Sequence, residues 1–325
     1  MDYEIGMPVS ERETAKLSTP VSEEWLIRLL RCGAFLCLAA WSWAHLYWEG
    51  PYGALFWNQV SFGIAERFGI DWDGYAGGGD GAGWIQKWGR VLGWLYVVAA
   101  VLALTLRARR WWSLGLLAMG SCLLTLMSFA KYLKSGNQLP MFVEHGGQML
   151  APTLLGVALI AGARHRVTVL IALIAFLATF LGHGSYALGL WPTPANYFGM
   201  TSKILQVDAD VARVFLNVVG VLDFVICVGI FIPSIRRVSA LYGAIWGLMT
   251  AFARPVAGMS ADLNYWGADQ YLHEAILRAP HFMIPLYLFC VWKKSGDASL
   301  EDSEPDASES APDSAHIDDS ASTRA

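Results

Sequence analysis

The sequence predicts an all-α integral membrane protein, with eight transmembrane helices in two four-helix repeats. Three observations carry that expectation. The 325 residues are 55% hydrophobic, with 15 Trp, and only 15% are charged, where soluble domains carry about 25%. Apolar runs of roughly 18 to 25 residues recur, each long enough to cross a hydrocarbon core of about 30 Å. The sparse polar residues return in the same order in both halves of the chain.

The elements follow in order. Residues 1–24 read as a polar N-terminal segment on the cytoplasmic side. Ser22, then Glu23 and Glu24, supply an N-cap and an acidic first turn for a span over 25–47. That span has no small-x-small cleavage pattern before it and is expected to stay as an anchor. Further spans are expected over 89–106, 111–131, 142–163, 167–190, 211–232, 238–256 and 277–292, with Pro140 and Pro192 marking span ends. The first repeat is then 25–163 and the second 167–292. Residues 295–325 hold nine acids and one base, Arg324, and almost no large apolar residue. Such a tail cannot bury enough surface to fold and is expected to be disordered. It carries −8 of a formal net charge of −4, which leaves +4 on the rest of the chain.

Basic residues sort by loop. Arg107, Arg109 and Arg110 follow the second span, Arg164 and Arg166 the fourth, Arg236 and Arg237 the sixth, and Lys293 and Lys294 the eighth, while Arg28 and Arg31 open the first. The positive-inside rule then puts both termini in the cytoplasm and loops 48–88, 132–141, 191–210 and 257–276 outside.

Several chemistries find no support. Cys32, Cys37, Cys122, Cys227 and Cys290 all fall in apolar spans with no CxxC, as small buried apolar residues do. The stretch DWDGYAGGGDGAG, Asp71 to Gly83, lacks the GK[ST] of a phosphate loop, and the spacing of Asp71, Asp73 and Asp80 fits no calcium loop. It reads as a flexible linker. No redox-cofactor motif is visible: there is no CxxCH, no dinucleotide glycine fingerprint and no paired-histidine spacing for haem or metal, and no metal is expected. Nothing points to nucleic acid. The expected partners are the lipid bilayer, a quinone or a small anion, and a membrane or periplasmic protein.

The repeat rests on matched marks. Phe129-Ala130-Lys131 ends the third span and Phe252-Ala253-Arg254 the seventh. RVLGWLYVV and NVVGVLDFV align Gly93 with Gly220 and Leu95 with Leu222. AHLYW, with His45, ends the first span, and GHGSY, with His183, ends the fifth. VEHGGQ, with Glu144 and Gln148, opens the fourth, and HEAILR, with Glu274 and Arg278, opens the eighth. Four helices per half, both entering from the cytoplasm, make this a parallel repeat about an axis near the membrane normal.

The second half, from HGSY through GVLDFVICVGIF to ALYGAIWGLMTAFAR, resembles the DoxX-like group of four-helix membrane proteins. That group includes the DoxD subunit of thiosulfate:quinone oxidoreductase. The likeness covers 167–292 well and 25–163 faintly. Members often carry an acid in the second helix where Asp223 sits; the first half has Tyr96 there, and the base often seen after the first-helix glycine is missing after Gly184. The resemblance implies a tandem duplication, a prokaryotic inner-membrane location and a quinone-linked oxidoreductase subunit.

Charges within spans cost roughly 2.5 to 3.5 kcal/mol even on the gentlest scale, so their depth matters. Counting about 1.5 Å per residue from the nearest cytoplasmic base, Asp223 lies about 20 Å up, Arg278 about 22 Å, His281 about 18 Å and Glu274 about 28 Å. Arg254 and His183 lie about 25 Å up, and Glu144, the outermost, about 30 Å. All fall in the outer half of the core. Glu274 and Arg278 share a helix face at i,i+4, with His281 on the same stripe, and Glu144 and Gln148 make the matching face in the first half. Lys131 reads as snorkelling. Arg254, Glu274 and Asp223 are expected to line a cavity. His183, Asp223 and Glu274 are the candidate catalytic residues. Arg254, Arg278, His281, Lys131, Glu144, Gln148 and His45 are the candidate ligand-binding ones.

Three readings follow. A quinone site would use His183 and Asp223 for protons and Trp191 or Trp246 as walls. An anion carrier would use Arg254, Arg278 and Lys131 as attracting charges, although the inverted repeats and broken helices common in carriers are not evident. A noncatalytic scaffold or assembly factor would use the polar layer only to join helices.

Overall fold

The computed structural model describes residues 21–48, 50–77, 83–107, 111–259 and 269–293. Asp80, Arg109, Arg110, Lys294, most of the polar N-terminal segment and the acidic tail lie outside the described residues. Within them the chain is helical, with no strand.

Helix α1 (Glu23–Tyr47) starts where the sequence marks it, with Ser22 Oγ accepting from the Trp25 N–H at 3.2 Å. Three short outer helices follow, α2 (Gly53–Phe56), α3 (Gln59–Glu66) and α4 (Trp72–Ala76). Long helices α5 (Trp84–Thr105) and α6 (Trp111–Lys134) come next, then short α7 (Leu139–Val143) and α8 (Gly146–Ala161). The second half holds α9 (Arg166–Ala187), the outer helix α10 (Ala195–Leu205), α11 (Ala209–Gly229), α12 (Arg236–Gly258), short α13 (Asp269–Ile276) and α14 (Ala279–Val291).

Six segments are helical, long and apolar enough to cross a membrane: α1, α5, α6, α9, α11 and the Gln270–Val291 run through α13 and α14. This is a polytopic membrane protein. The expected spans over 142–163 and 238–256 are also helical, but neither is among the six. Helix α8 has only 16 residues, about 24 Å of rise, and α12 carries arginines at both ends.

Burial explains the arrangement. On α11 the residues Val211, Val214, Val218, Val221, Val225 and Val228 are exposed, while Ala212, Leu216, Gly220, Asp223 and Cys227 face inward. A helix with its bulkiest apolar stripe outward suits lipid, where backbone groups are paired within the helix. Helix α1 packs on α5 and α8, and α6 closes the group by packing on α5 and α8. In the second half α9 packs on α11 and α14, and α12 closes that group in the same way. The groups meet where α8 rests on α9 and α14, and α1 on α14.

Bases at one end of the bundle serve as helix caps. Arg31 donates to the carbonyls of Ala103, Leu104 and Leu106 at the end of α5, at 2.7, 2.8 and 2.7 Å. Arg164 donates to the Val291 carbonyl at 2.9 Å and the Val21 carbonyl at 2.7 Å. Carbonyls in a last helical turn lack intrahelical partners, and guanidinium groups supply them.

The structure corrects the expectation of unbroken helices. A two-residue turn, Glu144–His145, separates α7 from α8, and Leu277–Arg278 separates α13 from α14. His145 (ψ 4°) and Arg278 (ψ 8°) both leave the helical region. Pro280, second in α14, lacks the N–H that a continuing helix needs, and Gly146–Gly147 carry little helix propensity.

Candidate functional site

The two breaks lie at the end of the bundle opposite the arginine caps, and a site is built around them. Gly182 lets the Glu144–His145 turn rest on α9: a Cβ there would lie 2.5 Å from the Glu144 nitrogen. Gly247 does the same for α12 against the His281 carbonyl. These close approaches set Glu144 beside His183, and Arg254 beside Arg278.

A cavity of about 410 Å³ opens among α9, α10, α11, α12 and α14. Its polar lining includes Glu144, His183, Asp223, Arg254, Arg278 and His281, and Gln148 reaches it from α8. Phe215, Leu216, Trp246 and Met249 form apolar walls. The His183 and His281 rings stand perpendicular, 5.6 Å apart.

Tyr197 covers this polar end from α10. Its hydroxyl donates to Glu144 Oε2 at 3.1 Å and lies 3.3 Å from His183 Nδ1, with the two rings stacked. Burial pushes the Tyr197 phenol well above its usual range, and the Glu144 carboxylate adds to the effect. The hydroxyl therefore keeps its proton, and the chain His183–Tyr197–Glu144 stays hydrogen-bonded.

Asp223 is 2% exposed. One of its carboxyl oxygens, Oδ1, has no hydrogen-bond partner among the described residues, while Trp246 lies within hydrogen-bonding reach of the group. A buried polar atom left unpaired is uncommon and calls for an explanation.

A second cavity of about 290 Å³ lies beside the first and shares Glu144, Tyr197, Arg254 and Arg278 with it. Lys131 and Lys134 add two more positive charges there.

The expected layer is assembled in part. Glu274 Oε2 pairs with Arg254 Nε at 2.8 Å and lies 3.6 Å from Arg278 Nη1, which also donates to the Glu274 carbonyl at 2.5 Å. Glu274 lines neither cavity; it holds the two arginines that line both. Lys131 does not snorkel free. Its Nζ lies 3.1 Å from His145 Nε2 and 5.2 Å from the Trp41 ring centre. Gln148 Oε1 accepts from the Trp41 indole at 2.8 Å. Glu144, the outermost by helix rise, is nonetheless the more buried acid: its side chain is 13% exposed against 27% for Glu274, because α10 covers it.

Two expected positions fall elsewhere. His45 lines neither cavity; Nδ1 donates to the Trp41 carbonyl at 2.6 Å and Nε2 accepts from Tyr52 at 2.9 Å. Tyr96, at the place of Asp223 in the first half, packs 4.8 Å from the His45 ring and donates to the Leu123 carbonyl at 2.8 Å. Trp191 is exposed and is no wall.

Sequence reasoning missed Tyr197, His145 and Lys134. A signal for the first existed. Tyr197, Met200, Thr201 and Ile204 recur at the i, i+3, i+4, i+7 spacing of one helix face, and all four line the larger cavity. Among the described residues no three His, Cys, Asp or Glu are grouped to hold a metal. Comparison with known protein families, characterised proteins and solved structures finds no significant match to this chain.

Proposed function

We propose that this membrane protein binds a quinone in the larger cavity, as a quinone-interacting oxidoreductase subunit of the DoxX-like kind. The observation that supports this reading best is the make-up of the cavity. Aromatic and aliphatic walls, Trp246 and Phe215 among them, face a polar end where His183, Tyr197 and Glu144 form one hydrogen-bonded chain. A quinone ring needs flat apolar walls, donors for its carbonyl oxygens and a proton route to water. His183 and Asp223 serve as proton-exchanging groups, and Glu274 positions Arg254 and Arg278. No redox-cofactor motif is visible in the sequence, so electrons come from a membrane or periplasmic protein partner.

In the same reading the chain spans the inner membrane of a prokaryote eight times, with both termini in the cytoplasm. The matching order of helix packing in the two halves supports the tandem duplication. The test is calorimetric titration of the detergent-solubilised protein with decylubiquinone. Saturable binding is expected, weakened tenfold or more in His183→Ala at unchanged thermal stability. A folded wild-type protein with no saturable binding overturns the reading.

A second reading has its own support. The two helix breaks, with four bases around the smaller cavity, favour a small-anion carrier, since broken helices set helix ends at membrane depth. Saturable uptake of an inorganic oxyanion into proteoliposomes, lost in Arg254→Leu, would favour it. A noncatalytic scaffold is what remains if the folded protein neither binds a quinone nor transports an anion.

A further inference from the structure

The larger cavity is graded from its interior to its rim. The polar groups of its lining lie inward: Gln148, Asp223 and His281 are all buried. The exposed part of its lining is apolar. Ile204 and Leu205 on α10, with Met249, Phe252 and Val256 on α12, line the cavity and are also open on the outside of the bundle. Met249 is 58% exposed, whereas His281 is 3% exposed. Thr250, on the same rim, spends its hydroxyl on the Gly247 carbonyl of its own helix at 3.1 Å.

The outside of the bundle at this rim suits hydrocarbon. Val238, Leu241, Ile245, Met249, Phe252 and Val256 form one exposed stripe of α12 at three- and four-residue spacing, the spacing of a single helix face. It runs beside the exposed valines of α11. An apolar patch of this extent marks contact with a membrane. The smaller cavity is built the other way, with exposed Lys134 in its lining, as suits a solute that arrives from water.

We infer that the larger cavity opens sideways into the bilayer between α10 and α12, and that this mouth holds the hydrocarbon tail of a quinone whose ring lies at the His183 end. This rests on the quinone reading above. The order of the lining, buried polar groups inside and exposed apolar groups at the rim, is the order of an amphiphile that enters ring first from lipid. A quinone without a tail would be held by the inner end alone. Leu205 and Val256, on facing sides of the mouth, then decide how well a tail is accepted.

Calorimetry on the full chain in detergent, with two quinones that share one ring, tests this. One is decylubiquinone; the other, 2,3-dimethoxy-5-methyl-1,4-benzoquinone, has no tail. Comparing each ligand between protein variants cancels its own partition into the micelle. Leu205→Trp together with Val256→Trp fills the mouth from both sides. A misfit of one methylene in an apolar pocket is worth about tenfold or more. The double variant should therefore bind decylubiquinone about tenfold more weakly, and the tail-less quinone within about twofold of wild type. Equal losses for the two ligands overturn the inference, as does no loss for either in the folded variant. Should the variant not fold, photolabelling of wild-type protein decides. A quinone with a diazirine in its tail near the ring should label residues 200–205 or 249–256, and excess decylubiquinone should suppress the label. Labelling only elsewhere, or none, overturns the inference. If neither quinone binds wild-type protein, the quinone reading itself falls. If the tail-less quinone binds and decylubiquinone does not, because a phospholipid chain holds the mouth, only the inference falls.

Discussion

Glu274 carries more of the polar layer than its neighbours do. It has two arginine partners, and its own exposure is 27%. Breaking a buried pair costs about 3 to 5 kcal/mol, and partial exposure screens some of that. Glu274→Ala should therefore cost about 2 kcal/mol in detergent, read from the denaturation midpoint. Replacing Glu274 and Arg254 together by leucine should recover most of the loss, because no unpaired charge then remains from the closest pair. Glu144 should behave differently although it is more buried. Its donor is the neutral Tyr197 hydroxyl, which an amide oxygen can also accept, so Glu144→Gln should cost under about 1 kcal/mol. A loss for Glu144→Gln as large as that for Glu274→Ala would refute this assignment. The acids and bases of the layer were legible in the sequence because charges stand out in apolar spans. Part of the pairing was legible too: Glu274 was expected to share one network with Arg254 and Arg278, and it pairs with both. The partners of Glu144 and Lys131, Tyr197 and His145, were not, because these two residues carry no formal charge in the sequence and come from an outer helix and a turn.

At the scale of elements the two breaks and the outer helix α10 decide the geometry. Each break sets a charged or polar residue, His145 or Arg278, at a helix start inside the bundle. The Glu144–His145 turn depends on Gly182. With the Glu144 nitrogen only 2.5 Å from where a Cβ would sit, Gly182→Ala must push backbone against backbone. Overpacking of this kind costs about 1 to 3 kcal/mol. The variant should lose that much stability and lose the Glu144–Tyr197 contact, seen as increased protease cleavage within Ala195–Leu205. Unchanged cleavage and stability would show that the turn tolerates displacement. Hydrophobicity marked the helices well and these features poorly. A break costs an apolar segment only two residues, and α10 contributes a half-buried face that no span-length window detects.

The bundle as a whole is polarised. Arginines cap carbonyls at one end, while cavities, breaks and paired charges gather at the other. On the proposed orientation a periplasm-active reporter inserted after Gly69 should be active, and one fused after Lys293 should be silent. The reverse result would turn the cavities toward the cytoplasm. The sequence by itself determined that this chain is helical and membrane-embedded, and which polar residues stand at similar depth. Those properties follow from apolar run length and from 1.5 Å of rise per residue, and both are local. Only the tertiary structure decided that His45 and His183, matched in sequence, differ in role. One is closed off by Trp41 and Tyr52 and the other lines a cavity. The physical reason is that a cavity is what neighbouring helices leave unfilled. Tyr96 and Tyr52 pack against His45 in the first half, whereas in the second no described side chain fills the space between His183, Asp223 and Trp246.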